Sequence, residues 1–100
     1  MKKLTIEWLE ENLPHGSGID GRWKIEEKGC YIVATNFFHC MNEVGYYDGY
    51  ADFSLVIEKA PPYDFKLHFH GRTSQYKARR YMLRDYLEDT FAECLRGFSA

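Results

Sequence analysis

Residues 74–96 read SQYKARRYMLRDYLEDTFAECLR and form the longest periodic segment of the chain. Its apolar side chains recur at spacings of three and four residues, which places them on one face of a helix. Thr73 or Ser74 can supply the N-cap oxygen, and Gly97 stands where a glycine often ends a helix. The segment therefore predicts a long C-terminal helix that packs on the rest of the chain. Its stripe comprises Leu83, Leu87, Thr90, Phe91, Cys94 and Leu95.

The order of charged residues along this helix is the opposite of the one that the helix dipole favours. Basic residues without any acid occupy positions 72–84, although the amino-terminal end of a helix is already partly positive. One interpretation is a solvated face that tolerates a small penalty. The other is a patch that binds an anion, a nucleic acid or an acidic protein. The basic residues are Arg72, Lys77, Arg79, Arg80 and Arg84.

Length and composition indicate a single small domain. The chain has 100 residues and a net charge of −2, so no global field points to nucleic acid or membrane. Aromatic residues make up 17%, which favours strands and binding surfaces over disorder. The cysteines at positions 30, 40 and 94 have no disulfide-framework spacing, and neither a signal peptide nor a membrane span is recognised. We therefore expect a cytoplasmic protein without membrane contact.

The region before the C-terminal helix predicts a short helix and four strands. Residues 4–13 form the helix, with Thr5 as N-cap and Leu13-Pro14 as its end. Alternating apolar residues predict strands at 23–28, 30–38, 50–58 and 64–70, with an irregular loop over 39–49.

The predicted architecture is α+β, in the order α-β-β-β-β-α. An antiparallel meander packs one face on the long helix, and the first helix covers an end or edge. The turn at Lys28-Gly29 would pair Ile25 with Ile32. The expected core is Ile6, Leu9, Trp23, Ile25, Ile32, Phe53, Leu55, Ile57, Phe65, Leu67, Phe69, Leu83, Leu87 and Phe91.

Residues 14–22 form a glycine-rich loop with two interpretations. It is either a wide turn between helix and sheet or a binding loop whose amides form an anion nest. It lacks the flanking elements of a P-loop or dinucleotide fingerprint, so the sequence predicts no cofactor. The candidate binding residues are His15, Gly16, Ser17, Gly18 and Asp20.

Part of this loop carries a resemblance. Residues 13–20, LPHGSGID, together with the following Trp23, resemble a short N-terminal signature of small uncharacterised proteins from bacteria, phages and other mobile elements. The signature has no catalytic assignment, so it implies a phage-type accessory protein and no site.

The region 39–71 is acidic and rich in tyrosine. It has five acids and two lysines, whereas residues 72–84 have five bases and no acid. Tyrosine among acids suits a protein-binding face, since its ring is rigid and its tip is polar. The alternative is that these tyrosines pack back on the sheet. The candidate protein-binding residues are Tyr46, Tyr47, Asp48, Tyr50 and Asp52.

Catalytic signals are weak. His68 and His70 share one strand face and could together bind a metal ion, with His39 and Cys40 approaching from the predicted loop as further ligands. The alternative is that both histidines face solvent and bind nothing. No nucleophile–base pair is apparent from spacing.

These observations favour a binding or regulatory protein over an enzyme. Its partner would be another protein, and a homodimer joining acidic to basic patches is one form of this contact. The alternatives are a nucleic-acid-binding module using residues 72–84, with Tyr76 and Tyr81 as stacking groups, and a metal-dependent enzyme.

Overall fold

The computed structural model describes residues 3–16, 18–19, 21–41, 47–70 and 80–99. They form helix α1 (Ile6–Asn12), strands β1 (Lys24–Lys28), β2 (Tyr31–Met41), β3 (Tyr47–Glu58) and β4 (Phe65–His70), and helix α2 (Arg80–Ser99). The strands make one antiparallel sheet in the order β1-β2-β3-β4, which confirms the predicted α+β meander. No helix of the described residues is long and apolar enough to cross a membrane.

Helix α1 begins and ends where the sequence predicts. The Trp8 amide donates a hydrogen bond of 3.2 Å to the Thr5 hydroxyl, which therefore caps the helix. Leu13 is extended ahead of Pro14, because a residue before proline avoids the α region. The predicted N-cap of α2, Thr73 or Ser74, lies outside the described residues.

The inner face of the sheet carries the core. Cross-strand pairs Ile32–Ile57, Ala34–Leu55 and Leu55–Leu67 place buried side chains on one surface. Helix α2 packs there through Phe91, whose ring centroid is 5.9 Å from that of Phe53. Predicted core residues that are buried are Leu9, Ile32, Phe53, Leu55, Ile57, Leu67, Leu87 and Phe91, whereas Ile6, Trp23, Ile25, Phe65 and Phe69 are half-buried at its margin.

The prediction of an irregular loop over 39–49 is wrong at its two ends, residues 39–41 and 47–49. Strand β2 continues to Met41 and β3 begins at Tyr47, whereas residues 42–46 lie outside the described residues. The pairs His39–Tyr50 and Cys40–Gly49 extend the ladder, and a bulge follows at Met41. Polar residues and glycine resemble loop composition, but cross-strand backbone pairing holds them in strands.

The predicted β1–β2 register is wrong by two residues. Lys28 pairs with Tyr31, and Ile25 pairs with Ala34 rather than Ile32. The turn consists of Gly29, at φ +61°, and Cys30. A two-residue shift leaves every side chain on its predicted face, because strand side chains alternate with a period of two.

The predicted helix end at Gly97 is also wrong. Helix α2 continues to Ser99, and Phe98 is buried. The Phe98 ring lies edge-on to Trp8 at 4.9 Å and to Tyr63 at 5.1 Å. These contacts favour another helical turn over a glycine cap. Buried residues missing from the predicted core are Leu4, Leu13, Ile19, Ala34, Tyr63, Leu95 and Phe98.

Candidate functional site

The outer face of the sheet, defined by Val33, Thr35, Ser54, Val56 and His68, lies opposite the core. Both helices belong to the core cluster on the inner face, so no described element covers the outer one. Val33 and Val56 are half-buried there, and Tyr31 remains 45% exposed. Apolar side chains between polar neighbours give this face the mixed character of protein interfaces.

A chain of hydrogen bonds crosses three strands of the outer face. The hydroxyl oxygens of Thr35 and Ser54 are 3.2 Å apart. Ser54 Oγ lies 2.6 Å from His70 Nε2. Ser54 is 9% exposed, so these contacts satisfy a hydroxyl that neighbouring side chains shield from water. The result is an ordered polar row in the middle of the sheet.

The Ser54–His70 contact is the pairing that sequence spacing did not reveal. Residues 16 apart become neighbours because Asp52 pairs with His70 and Ser54 pairs with His68. A neutral imidazole could accept the serine proton, but acyl transfer also needs an orienting group and oxyanion donors. No hydrogen bond joins the Asp52 carboxylate to the His70 ring in the structure.

Strands β2 and β3 pair with each other beyond the described ends of β1 and β4, and this two-stranded stretch, residues 38–41 and 47–51, is called the arm. The last β1 contact is Lys24 with Thr35, and the last β4 contact is His70 with Asp52. Beyond these positions the arm's backbone pairs only within itself among the described residues. A ribbon whose strand edges are unpaired can be recognised by other chains.

The predicted protein-binding residues lie on or beside this arm. Tyr47, Asp48 and Tyr50 belong to β3 within the arm, and Asp52 lies at its base, opposite Phe37. Tyr46 lies outside the described residues. The structure thus brings four of the five positions together along one strand, and their role in protein binding stays a prediction.

Arg84, one residue of the predicted basic patch, makes contacts with other residues of the fold. Its Nη1 donates a hydrogen bond of 2.8 Å to the Leu67 carbonyl, and its guanidinium carbon lies 5.1 Å from the centroid of the Phe69 ring. It also approaches Glu88 at 3.6 Å. Arg80 begins the described part of α2. The other patch residues, Arg72, Lys77 and Arg79, lie outside the described residues.

The histidine pair does not assemble a metal centre with other described side chains. His68 and His70 are both exposed on β4, and His70 is engaged by Ser54. No group of three or more His, Cys, Asp or Glu side chains in the described ranges could hold a metal ion. Two ligands alone are fewer than a zinc site needs.

The glycine-rich loop packs tightly on β2. A Cβ on Gly18 would stand 2.4 Å from the Phe38 ring, and one on Gly21 would stand 2.3 Å from Phe37. The Asn36 amide donates to the Gly21 carbonyl at 3.1 Å. The loop backbone lies so close to the Phe37 and Phe38 rings that only glycine fits at positions 18 and 21.

Two backbone amides of this loop are already hydrogen-bonded within its own turn. The amides of Gly16 and Ile19 donate to each other's carbonyls at 2.8 and 3.1 Å, so neither is available to an anion. His15 is exposed, whereas Ser17 and Asp20 lie outside the described residues. The wide-turn interpretation accounts for what is described, and the anion nest stays a prediction.

The chain matches no protein-family model, no curated protein and no solved structure in the comparisons made with known proteins. Its function must be inferred from its own surfaces.

Proposed function

We propose that this chain is a small cytoplasmic binding or regulatory protein that acts by protein–protein contact through the outer face and the arm. The observation that carries the proposal is the pairing of β2 with β3 beyond the described ends of β1 and β4. A two-stranded ribbon of this kind can contribute main-chain hydrogen bonds to a partner, and the adjoining face can contribute apolar area. The resemblance of residues 13–20 suggests a phage or mobile-element origin.

The side chains at the base of the arm support this proposal. Val56, half-buried, and Thr35 lie near the Ser54–His70 contact, so apolar area adjoins ordered hydrogen-bonding groups. Asp52 adds an exposed carboxylate beside His70. A partner with basic and aromatic groups would complement this surface in charge and shape.

A second copy of the chain is one such partner. Residues 39–71 have an excess of acids and residues 72–84 have only bases, so two copies could pair opposite charges in a symmetric contact. Salt would weaken such a dimer, because exposed charges are screened over a Debye length of about 8 Å at physiological ionic strength.

The test combines size measurement with partner capture. Light scattering on the purified chain and pull-down from a lysate of the host should give either a defined dimer or a retained protein. Val56→Glu places a carboxylate in the middle of the outer face and should abolish that association. Lys3→Glu, at an exposed site before α1, introduces the same side chain elsewhere and should leave it intact.

Two results would contradict the proposal. The first is a monomer at all concentrations that retains no host protein. The second is an association that Val56→Glu and Lys3→Glu weaken equally, because the outer face would then have no special role. Circular dichroism of both variants establishes that the fold is unchanged.

A further inference from the structure

A cleft of about 360 Å³, partly open to solvent and lined by both polar and apolar surface, lies between α1, the glycine-rich loop and the residue before β1. Pockets for small organic ligands occupy roughly 300–1,000 Å³, so the cleft suits a small molecule. None of the described residues that line it belongs to the surface proposed for protein contact. They are Glu10, His15, Arg22 and Trp23.

Trp23 gives the cleft a fixed wall. Its indole Nε1 donates a hydrogen bond of 3.0 Å to the Pro14 carbonyl. The ring also lies edge-on to Phe53 at 5.7 Å and to Phe91 at 5.9 Å. It is half-buried, so these contacts hold it while part of the ring stays accessible. A ligand contacting this ring would not have to order it first.

The cleft also holds charges of both signs that form no ion pair with another described side chain. Glu10 and Arg22 are exposed, and the ion pairs of the described residues involve other side chains. On β1, by contrast, Glu26 lies within 3.7 Å of both Lys24 and Lys28. The hydrogen-bonding capacity of the Glu10 carboxylate and the Arg22 guanidinium therefore remains open to a ligand.

We propose that this cleft binds a small zwitterion of the amino-acid class. Arg22 presents a planar fork of donors that matches a carboxylate, and His15 adds ring nitrogens to the lining of the same cleft. Glu10 accepts hydrogen bonds from the ammonium group. Trp23 contacts the apolar or aromatic side chain of the ligand. The presence of both signs distinguishes this site from one for a simple anion.

Nuclear magnetic resonance of the full chain tests the proposal with three probes. L-phenylalanine carries a carboxylate, an ammonium and a ring, benzoate lacks the ammonium, and benzylamine lacks the carboxylate. Two tryptophans give two indole signals, which Trp8→Phe assigns. We expect L-phenylalanine to shift the Trp23 signal saturably, with half-saturation on the order of 1 mM for so small a ligand.

The other two probes and the Trp8 signal serve as internal controls. Benzoate and benzylamine should each bind more weakly, because each leaves one charge of the cleft unmatched. The Trp8 indole packs on Phe98 and does not line the cleft, so its signal should not move.

Two pairs of variants connect the binding to named residues. Arg22→Gln should weaken binding about tenfold or more, as expected for the loss of charge-assisted hydrogen bonds. Lys24→Gln removes a nearby exposed charge outside the cleft and should have no effect. Glu10→Gln should weaken binding of L-phenylalanine but not of benzoate, whereas Glu11→Gln should change neither.

Three results would overturn the proposal. One is the absence of any saturable Trp23 shift with all three probes up to about 20 mM, far above the expected half-saturation. Another is equal binding of benzoate and L-phenylalanine, which would exclude recognition of a zwitterion. The last is binding of L-phenylalanine by the Arg22→Gln variant that is as strong as in the unchanged protein, with the Trp8 signal showing that the variant is folded.

Discussion

Arg84 Nη1 in helix α2 donates a hydrogen bond of 2.8 Å to the carbonyl oxygen of Leu67 in strand β4. Because β4 is the last strand of the described sheet, its outward carbonyls have no strand neighbour there. The same guanidinium lies over the Phe69 ring. A residue that sequence alone assigns to an exposed basic patch therefore holds the helix against the sheet.

Arg84→Ala should destabilise the fold by about 1–2 kcal/mol, from the lost charge-assisted hydrogen bond and the cation–π contact. Arg84→Lys should recover only part of this, since lysine lacks the planar fork. Equilibrium denaturation in urea measures both. Glu88→Gln, which removes only the exposed ion pair to Arg84, is the control and should cost at most about 0.5 kcal/mol. Equal effects of Arg84→Ala and Glu88→Gln would mean that the Leu67 contact contributes nothing.

Phe98→Ala should cost about 3 kcal/mol, because it empties the space between Trp8 and Tyr63 in the core. Thermal unfolding followed by circular dichroism measures the loss. A cost below about 1 kcal/mol would show that the last turn of α2 is not docked.

Gly97→Ala tests the same helix end from the solvent side. Gly97 lies within α2, and a Cβ there meets nothing within 4 Å. Alanine should therefore stabilise the protein by up to about 1 kcal/mol through its greater helix propensity. Destabilisation would instead indicate a left-handed glycine cap, the arrangement predicted from sequence.

Gly18→Ala should destabilise more than Gly16→Ala. Both positions have positive φ, +107° and +83°, so both variants should cost about 1 kcal/mol in backbone strain. Only at Gly18 would the new Cβ also meet the Phe38 ring. The additional overpacking should bring its cost to about 2–4 kcal/mol. Urea denaturation compares the two.

Phe38→Leu provides the double-mutant test of that contact. If the clash with Phe38 causes the excess cost of Gly18→Ala, the shorter side chain should relieve part of it. Simple additivity of the two variants would assign the cost to the backbone alone.

Burial raises the pKa of the Cys94 thiol above its ordinary value. The folded state then keeps its proton at a pH where the unfolded chain releases it. Stability should be constant below about pH 8.5, the ordinary cysteine pKa, and should fall as pH rises through the higher folded value. Urea titrations between neutral and alkaline pH measure this slope.

Cys94→Ser is the matched variant for that slope, because it keeps a donor toward the Asn12 carbonyl, which the thiol now contacts at 3.4 Å. It should remove part of the alkaline loss. Cys30→Ser, at an exposed turn, should leave the slope unchanged. An identical slope in all three proteins would assign the loss to other groups.

Local sequence patterns were sufficient to predict the order of the helices and strands. Thr5 and Pro14 mark the ends of α1, and alternation between apolar and polar residues predicts the strands, because capping and side-chain direction depend on near neighbours. Strand ends were less predictable. Cys40 and Gly49 look like loop residues alone and become strand residues only as a cross-strand pair.

The candidate surfaces depended still more on distant contacts. Ser54 and His70 meet only through the β3–β4 register, and Glu10 reaches the cleft of Arg22 and Trp23 only because α1 folds beside β1. The spacing of these residues along the sequence predicts neither the Ser54–His70 contact nor the cleft.

The sequence by itself therefore determined the α-β-β-β-β-α order, the Thr5 cap and the apolar faces of strands and helix, since these follow from interactions within a few residues. Tertiary structure decided the hairpin register, the burial of Phe98, the contact of Arg84 with the sheet edge and the packing of Gly18 on Phe38. Each of these brings together residues that are remote or out of phase in the chain. Their energies come from complementary packing and hydrogen bonding, which exist only once the sheet and both helices are assembled.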